Sequence, residues 1–370
     1  MGIRAVRGVK FSRSSLSVGD GPGDNGVMRI GVLTGGGDCP GLNAVVRALV
    51  RRSEVEHGHE VVGFRHGWRG LVDDDAVALS VASTRGILHR GGTILGTSRT
   101  NPFHRGGIDV AKVHATLARH AVDALVAIGG EDTLGVADRL GREGVGVIGV
   151  PKTIDNDLSG TDVTFGFDTA VQTAVDAIDR LHTTAESHDR IFVVEVMGRH
   201  AGWIALWSAV GGGADVVLVP ERPFDLDEVG ERLRARHASG AGFSVVVVAE
   251  GALPVAGTWS VQEGRPDEFG HVRLGGIAAA IAPEIEARTG IETRSVVLGY
   301  VLRGGTPTAF DRVLATRFGL EAAAAAHEGD VGVMVALRGP DVVRVPIGDA
   351  VATLRTVPDA LLGQFASLVG

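Results

Sequence analysis

Eight short runs of valine, isoleucine, leucine and alanine recur along the chain, at 29–33, 124–128, 145–150, 191–196, 216–219, 244–249, 295–302 and 331–337. They are short for helices, and their apolar residues are consecutive rather than alternating. Strands of that kind must be covered on both faces, as inside a mainly parallel sheet layered by helices. Segments with helical spacing separate them. Val171, Val175, Ile178 and Leu181 mark one, Ile204, Leu206 and Trp207 mark another, and 320–327 is alanine-rich. This alternation restricts the chain to the α/β class. A length of 370 residues allows two domains or one large unit. Glycine or a charged residue often follows a run, and open α/β sheets bind ligands at the carboxyl ends of their strands.

A formal net charge of −8 argues against nonspecific nucleic-acid binding, though not against a local basic pocket. The one cysteine, Cys39, excludes an intrachain disulfide and a cysteine-based zinc site, and fits a reducing cytoplasm. With no histidine close to it in sequence, it is expected to be a tolerated small residue rather than a nucleophile. No uncharged apolar stretch approaches about 18 residues, so no membrane span is expected. Residues 1–27 are polar and glycine-rich, unlike a signal peptide. Met28 is a candidate start, with 1–27 a disordered upstream extension. The polar stretch 254–274 is expected to be a surface excursion.

The strongest chemical signal is Pro151-Lys152-Thr153-Ile154-Asp155-Asn156-Asp157, directly after an apolar run. Lys152 can balance charge on a phosphoryl group in transfer. Asp155 can take a hydroxyl proton as general base. Asp157 can order Asp155 or a magnesium ion, and Thr153 offers a hydroxyl and an amide. About twenty residues earlier, Gly129-Gly130-Glu131-Asp132-Thr133 ends another run. Glu131 suits Mg²⁺, directly or through water. Asp132 puts a second negative charge where a polyphosphate would lie. The plainer alternative is that these acids cap the next helix.

The loop Thr34-Gly35-Gly36-Gly37-Asp38-Cys39-Pro40-Gly41-Leu42-Asn43 precedes a helix at 44–52. Its bare amides suit a phosphate nest, although a tight strand–helix turn would look the same. It matches neither the dinucleotide fingerprint nor the common nucleotide P-loop. Arg99, within Gly96-Thr97-Ser98-Arg99-Thr100, either reaches a phosphate or is solvated. Met197-Gly198-Arg199 and Glu250 each follow a run and look like parts of a sugar-phosphate receptor. Arg190, Arg294 and Arg303 could converge on one phosphate. Tyr300, the only tyrosine, is either part of that segment or core filler.

In this order, the motifs resemble the phosphofructokinase family over roughly residues 28–340. The resemblance implies two Rossmann-like three-layer α/β/α lobes with mainly parallel sheets and the active site in the cleft between them. Residues 28–166 plus about 302–350 would form the donor lobe. Residues 167–301 plus about 351–370 would bind fructose 6-phosphate. The implied reaction is phosphoryl transfer to the 1-hydroxyl of that sugar, with Mg²⁺ as cofactor. Asp155 matches the family's proton acceptor. Thr153, Met197, Gly198, Arg199 and Glu250 match sugar contacts, and Tyr300 and Arg303 match the 6-phosphate segment. Arg190 and Arg294 match arginines that reach across from a neighbouring subunit, so self-association is expected. Gly36, Gly37, Arg99 and Thr133 fall in the donor-phosphate segments, and Glu131 matches the magnesium carboxylate, usually aspartate.

ATP-using relatives commonly carry glycine in place of Asp132, whereas pyrophosphate-using relatives pair aspartate there with lysine at the position of Lys152. The physics agrees, because Asp132 would repel an α-phosphate that pyrophosphate does not have. Pyrophosphate is therefore the expected donor, and the transfer should be reversible. The alternatives are an ATP-dependent enzyme that tolerates Asp132 and a noncatalytic sugar-phosphate sensor. Intact Lys152, Asp155 and Asp157 speak against the sensor. Sedoheptulose 7-phosphate stays open as a further acceptor. Two arginine positions of the family's effector pocket are Val81 and His182 here, which predicts weak regulation.

Overall fold

Within the buried runs, residues of opposite parity enter different cores, which is why their apolar residues follow one another without alternation. In the strand Ala124–Gly129, Ala124, Val126 and Ile128 face one cluster while Leu125 and Ala127 face another. The structure is a computed structural model that describes residues 26–104, 109–256 and 275–369. The expectations for 1–25 and 257–274 lie outside the described residues.

The first sheet contains β1 (Arg29–Thr34), β2 (Glu60–Phe64), β3 (Ala76–Leu79), β4 (Ala124–Gly129), β5 (Val147–Pro151), β10 (Val333–Arg338) and β11 (Asp341–Pro346), in the order β11-β10-β5-β4-β1-β2-β3. Its interior pairs are parallel, and β3 and β11 close the two edges antiparallel. The second sheet contains β6 (Ile191–Val196), β7 (Val216–Leu218), β8 (Ser244–Ala249) and β9 (Thr293–Val297), in the order β7-β8-β6-β9, all parallel.

Helices α1 (Leu42–Val55), α5 (Phe167–His188), α6 (Trp203–Gly211) and α9 (Ala309–Glu328) supply a shared inner layer. Leu49, Ile178, Leu206 and Phe318 from these helices join Val126 and Ile148 of the first sheet and Val194 and Val247 of the second in one buried cluster. Outside the first sheet lie α2 (Trp68–Asp73), α3 (Val110–Arg119), α4 (Glu131–Arg142) and α10 (Ile347–Ala352). Outside the second lie α7 (Leu226–Ala238) and α8 (Ile277–Thr289). The last helix, α11 (Asp359–Val369), packs on α6 and β7. The α/β class with mainly parallel sheets is as expected.

One expected strand is different. Instead of running through 295–302, β9 stops at Val297, and Gly299–Arg303 forms a 3-10 turn. The last rung is the Leu298 amide donating to Glu195 O at 3.0 Å, beyond which no partner strand continues. Three strands, the interior β2 and the edge strands β3 and β11, were not expected, because each mixes exposed and buried positions over a short length.

A buried polar knot joins the amino termini of α5 and α9. Asp311 is fully buried, and its Oδ2 accepts from the Thr169 amide at 2.8 Å and the Thr169 hydroxyl at 2.5 Å. The Thr308 amide donates to Thr169 Oγ1 at 3.0 Å, and the Thr308 hydroxyl donates to Asp168 at 2.6 Å. Burial pushes the Asp311 carboxyl up to about 6 from 3.8, against these hydrogen bonds. The folded state therefore holds a proton that the unfolded chain has lost between about pH 4 and 6, so this group's contribution falls as pH rises through that window. Relative to the parent, Asp311→Asn should gain about 2 kcal/mol between pH 4 and 7. Urea unfolding of both proteins at the two pH values tests this, and a pH-independent difference would refute it.

Candidate active site

The loops that carry Gly36, Glu131, Lys152 and Arg199 leave the carboxyl ends of β1, β4, β5 and β6, whereas Arg190 precedes β6 and Arg294 lies within β9. The first follows β1. The Gly35 amide donates to Ile128 O at 2.9 Å and the Gly36 amide to Ser98 O at 3.2 Å, so two of the expected nest amides are already used by carbonyls. The glycines serve close approach instead. A Cβ on Gly35 would lie 2.6 Å from Thr133 Oγ1, and one on Gly37 would collide with the Arg303 guanidinium.

After β4, Glu131 and Asp132 form the first turn of α4, where the helix dipole favours acids. The N-cap itself is Gly130, with no side-chain cap, and both acids line the cleft with Gly36, Gly37, Arg99, Thr133, Lys152, Thr153, Asp155, Asp157, Arg199 and Arg303. Ser98, Thr100, Trp68 and His200 line it too and were not singled out from the sequence. Ser98, Thr100 and His200 adjoin predicted residues. Trp68 carried no signal, because the strand before it, β2, was not expected.

Lys152 follows β5 and is almost fully buried. Its ammonium donates to Gly37 O, and burial lowers its pKa. The adjacent carboxylates are held by backbone geometry. The Asp155 amide donates to Thr153 Oγ1 at 3.0 Å, and Asn156, in left-handed conformation at φ 54°, accepts at Oδ1 from the Thr164 amide at 3.0 Å. Asp155 Oδ1 is buried without a hydrogen-bond partner. Burial, then the charges of Asp155 and Glu131, push the Asp157 carboxyl up to about 7. Crowded carboxylates with an unsatisfied oxygen suit a hard cation. Among the described residues, no three acidic, histidine or cysteine side chains are arranged to hold a metal by themselves. A magnesium ion would fit here only with water or substrate oxygens completing its shell.

The second sheet supplies the other wall. Met197 is buried, and Arg199 reaches the cleft. Glu250 stands behind them. Its carboxyl is pushed up by burial and by Asp155, and lowered in turn by Arg199 and Arg303. The Gly198 carbonyl accepts from the Gly251 amide at 3.0 Å, tying the two turns together.

Tyr300 and Arg303 part company. Tyr300 is 67% exposed and outside the cleft, whereas Arg303 turns inward to the donor loop, with Nη1 3.4 Å from Asp38 O. Arg190 and Arg294 are also outside the cleft of a single chain. Both pair with Glu292 beside edge strand β9. Cys39 is buried beneath the glycine loop, and burial pushes its thiol up to about 12, as befits a packing residue. Val81 lines a small cavity together with Arg47, Arg51 and Arg85.

The phosphofructokinase family profile matches residues 29–326. The pyrophosphate–fructose 6-phosphate 1-phosphotransferase of Amycolatopsis methanolica is 61% identical over 331 residues, 90% of this chain and 96% of that protein. The ATP-dependent 6-phosphofructokinase 3 of Streptomyces coelicolor is 57% identical over 334 residues, 90% of this chain and 97% of that one. Among solved structures, the Pichia pastoris phosphofructokinase superposes with a TM-score of 0.77 at 33% identity, covering 90% of this chain and 36% of the yeast chain. The profile match over most of the chain and the identity to these relatives show that the chain belongs to the phosphofructokinase family.

Proposed function

We propose that this chain transfers a phosphoryl group between pyrophosphate and the 1-hydroxyl of fructose 6-phosphate. The observation that carries the choice of donor is Asp132, a carboxylate lining the same cleft as Lys152 and the glycine loop. Overall identity does not choose, because relatives named for either donor are almost equally similar. A carboxylate at this point opposes a third phosphate and leaves two unhindered.

In the forward direction the sugar 1-oxygen attacks the terminal phosphorus, forming a new O–P bond as the bridging O–P bond of pyrophosphate breaks. Asp155 takes the hydroxyl proton, and orthophosphate leaves. Lys152 and Arg303 sit where charge on the transferring group and the leaving phosphate needs compensation. Thr153, Met197, Gly198, Arg199 and Glu250 hold the sugar, while Gly36, Gly37, Arg99 and Thr133 hold the donor. Glu131, with Asp155 and Asp157 in the same cleft, would hold magnesium, which would supply charge neutralisation for pyrophosphate.

The donor lobe is proposed as 28–166 plus about 302–350, and the sugar lobe as 167–301 plus about 351–370. Self-association supplies the remaining contacts. Arg190, Arg294 and Tyr300 lie beside edge strand β9, and Val297, Val301, Phe310 and Val313 are exposed in the same part of the chain. An open sheet edge with exposed apolar side chains supports a second copy there. Among the described residues no helix is long and apolar enough to cross a membrane.

The test is a matrix of donors against acceptors, including sedoheptulose 7-phosphate, run in both directions. Turnover with pyrophosphate and not ATP is expected, together with formation of pyrophosphate from fructose 1,6-bisphosphate and phosphate. Chelation by EDTA should abolish turnover and added Mg²⁺ restore it. Robust ATP turnover with none from pyrophosphate would sink the assignment.

A further inference from the structure

The carboxyl-terminal strap crosses behind the loop that carries Asp155. Leu354 bridges to Leu158, and the Ser159 hydroxyl donates to Thr353 O at 2.8 Å. The Arg355 amide donates to Asp157 O at 2.8 Å, and Arg355 Nη1 donates to Asn156 O at 3.2 Å. One residue thus holds the two consecutive carbonyls that follow Asp155.

The same guanidinium lies over the ring of Trp203, its Cζ 4.2 Å from the ring centroid, and Trp203 Nε1 donates to Arg355 O at 2.8 Å. Trp203 is the first residue of α6, four positions after Arg199. Next along the strap, Glu221 Oε1 accepts from both the Val357 amide at 2.8 Å and the Gly202 amide at 2.9 Å. The strap is therefore clamped to the sugar-side helix at two points.

Arg355 makes no close ion pair among the described residues, although it is partly buried. Asp162 acts on it only at longer range, and burial lowers its pKa. A surface packing role does not require a desolvated guanidinium without a carboxylate partner. Its planar fork is instead used on a peptide oxygen while its face lies on an indole, a combination that lysine does not reproduce. The carbonyl it holds belongs to Asn156, whose left-handed backbone turns the chain directly after Asp155.

From this geometry we propose that Arg355 is a positioning residue for phosphoryl transfer: seated on Trp203, it fixes the Asn156 and Asp157 carbonyls and so aims Asp155 at the acceptor hydroxyl. The inference rests on the functional reading above. It concerns alignment of the base, so its signature is a loss of turnover without loss of sugar binding.

The parent enzyme and Arg355→Ala are compared by steady-state kinetics, fructose 6-phosphate calorimetry and thermal melting. The variant should lose about 10- to 100-fold in kcat, the cost of a small misplacement of a reacting group. Its KM and affinity for fructose 6-phosphate should stay within about threefold. Guanidinium at low millimolar concentration, far below denaturing levels, should restore part of kcat. A variant kcat within about twofold of the parent overturns the proposal. So does a kcat loss that tracks a lower melting point and weaker sugar binding, without guanidinium recovery. Should Arg355→Ala not fold, Arg355→Lys decides. The same kcat-selective loss supports the proposal, and parental kcat overturns it. A parent that transfers phosphoryl from no donor sinks the functional reading instead.

Discussion

Asp155→Ala is expected to cut turnover by about 10²- to 10⁴-fold, the range a positioned general base contributes. The prediction follows from where the carboxylate is held. Its backbone amide is fixed by Thr153, and Asn156 is fixed by Thr164. One carboxylate oxygen is buried with no protein partner, so it is available for a substrate proton or a bound cation. Substrate binding should survive, because Arg199 and Glu250 come from separate loops after β6 and β8. Calorimetry with fructose 6-phosphate and single-turnover assays separate the two effects. Retention of more than a tenth of parental kcat would remove Asp155 from its proposed role. Asp155→Asn should behave like the alanine variant, since it keeps shape and loses basicity.

The second large effect is a change of donor. Asp132→Gly is expected to raise the ratio of ATP to pyrophosphate turnover by about 10²-fold, since a like-charge contact costs a few kcal/mol and 1.4 kcal/mol is tenfold. Asp132 is the second residue of α4, so its removal also takes a favourable charge from the helix terminus. That effect is only about 0.3–1 kcal/mol and acts on stability rather than donor choice. Melting curves and kcat/KM for both donors therefore read two different quantities. An unchanged donor ratio would show that Asp132 is not the gate. If ATP use appears only when Lys152→Gly is added, the charge pair rather than the single acid controls access.

The layered fold was legible because buried parallel strands impose a local composition. Runs such as Ala124 to Gly129 need apolar residues on both faces, so one short window reveals the environment. Edge strands give no such window. β3 and β11 have one covered side and one free margin, and their residues read as loop. Glu131, Asp132, Lys152, Asp155 and Asp157 were legible for a related reason. Each lies within a few residues of the end of β4 or β5, so the backbone places it at the sheet's carboxyl edge.

Local order along the chain determined the α/β class, the strand-end loops and the residue types able to carry phosphoryl chemistry. Only the tertiary structure decided which of them meet. It turned Arg303 into the donor loop while Tyr300 faces outward, and it used the Gly35 and Gly36 amides on backbone carbonyls. It also brought Arg355 against a loop about two hundred residues earlier in the chain. Side-chain direction and long-range contact depend on packing between elements, and nothing in a short stretch of sequence encodes which distant surface will fill the space.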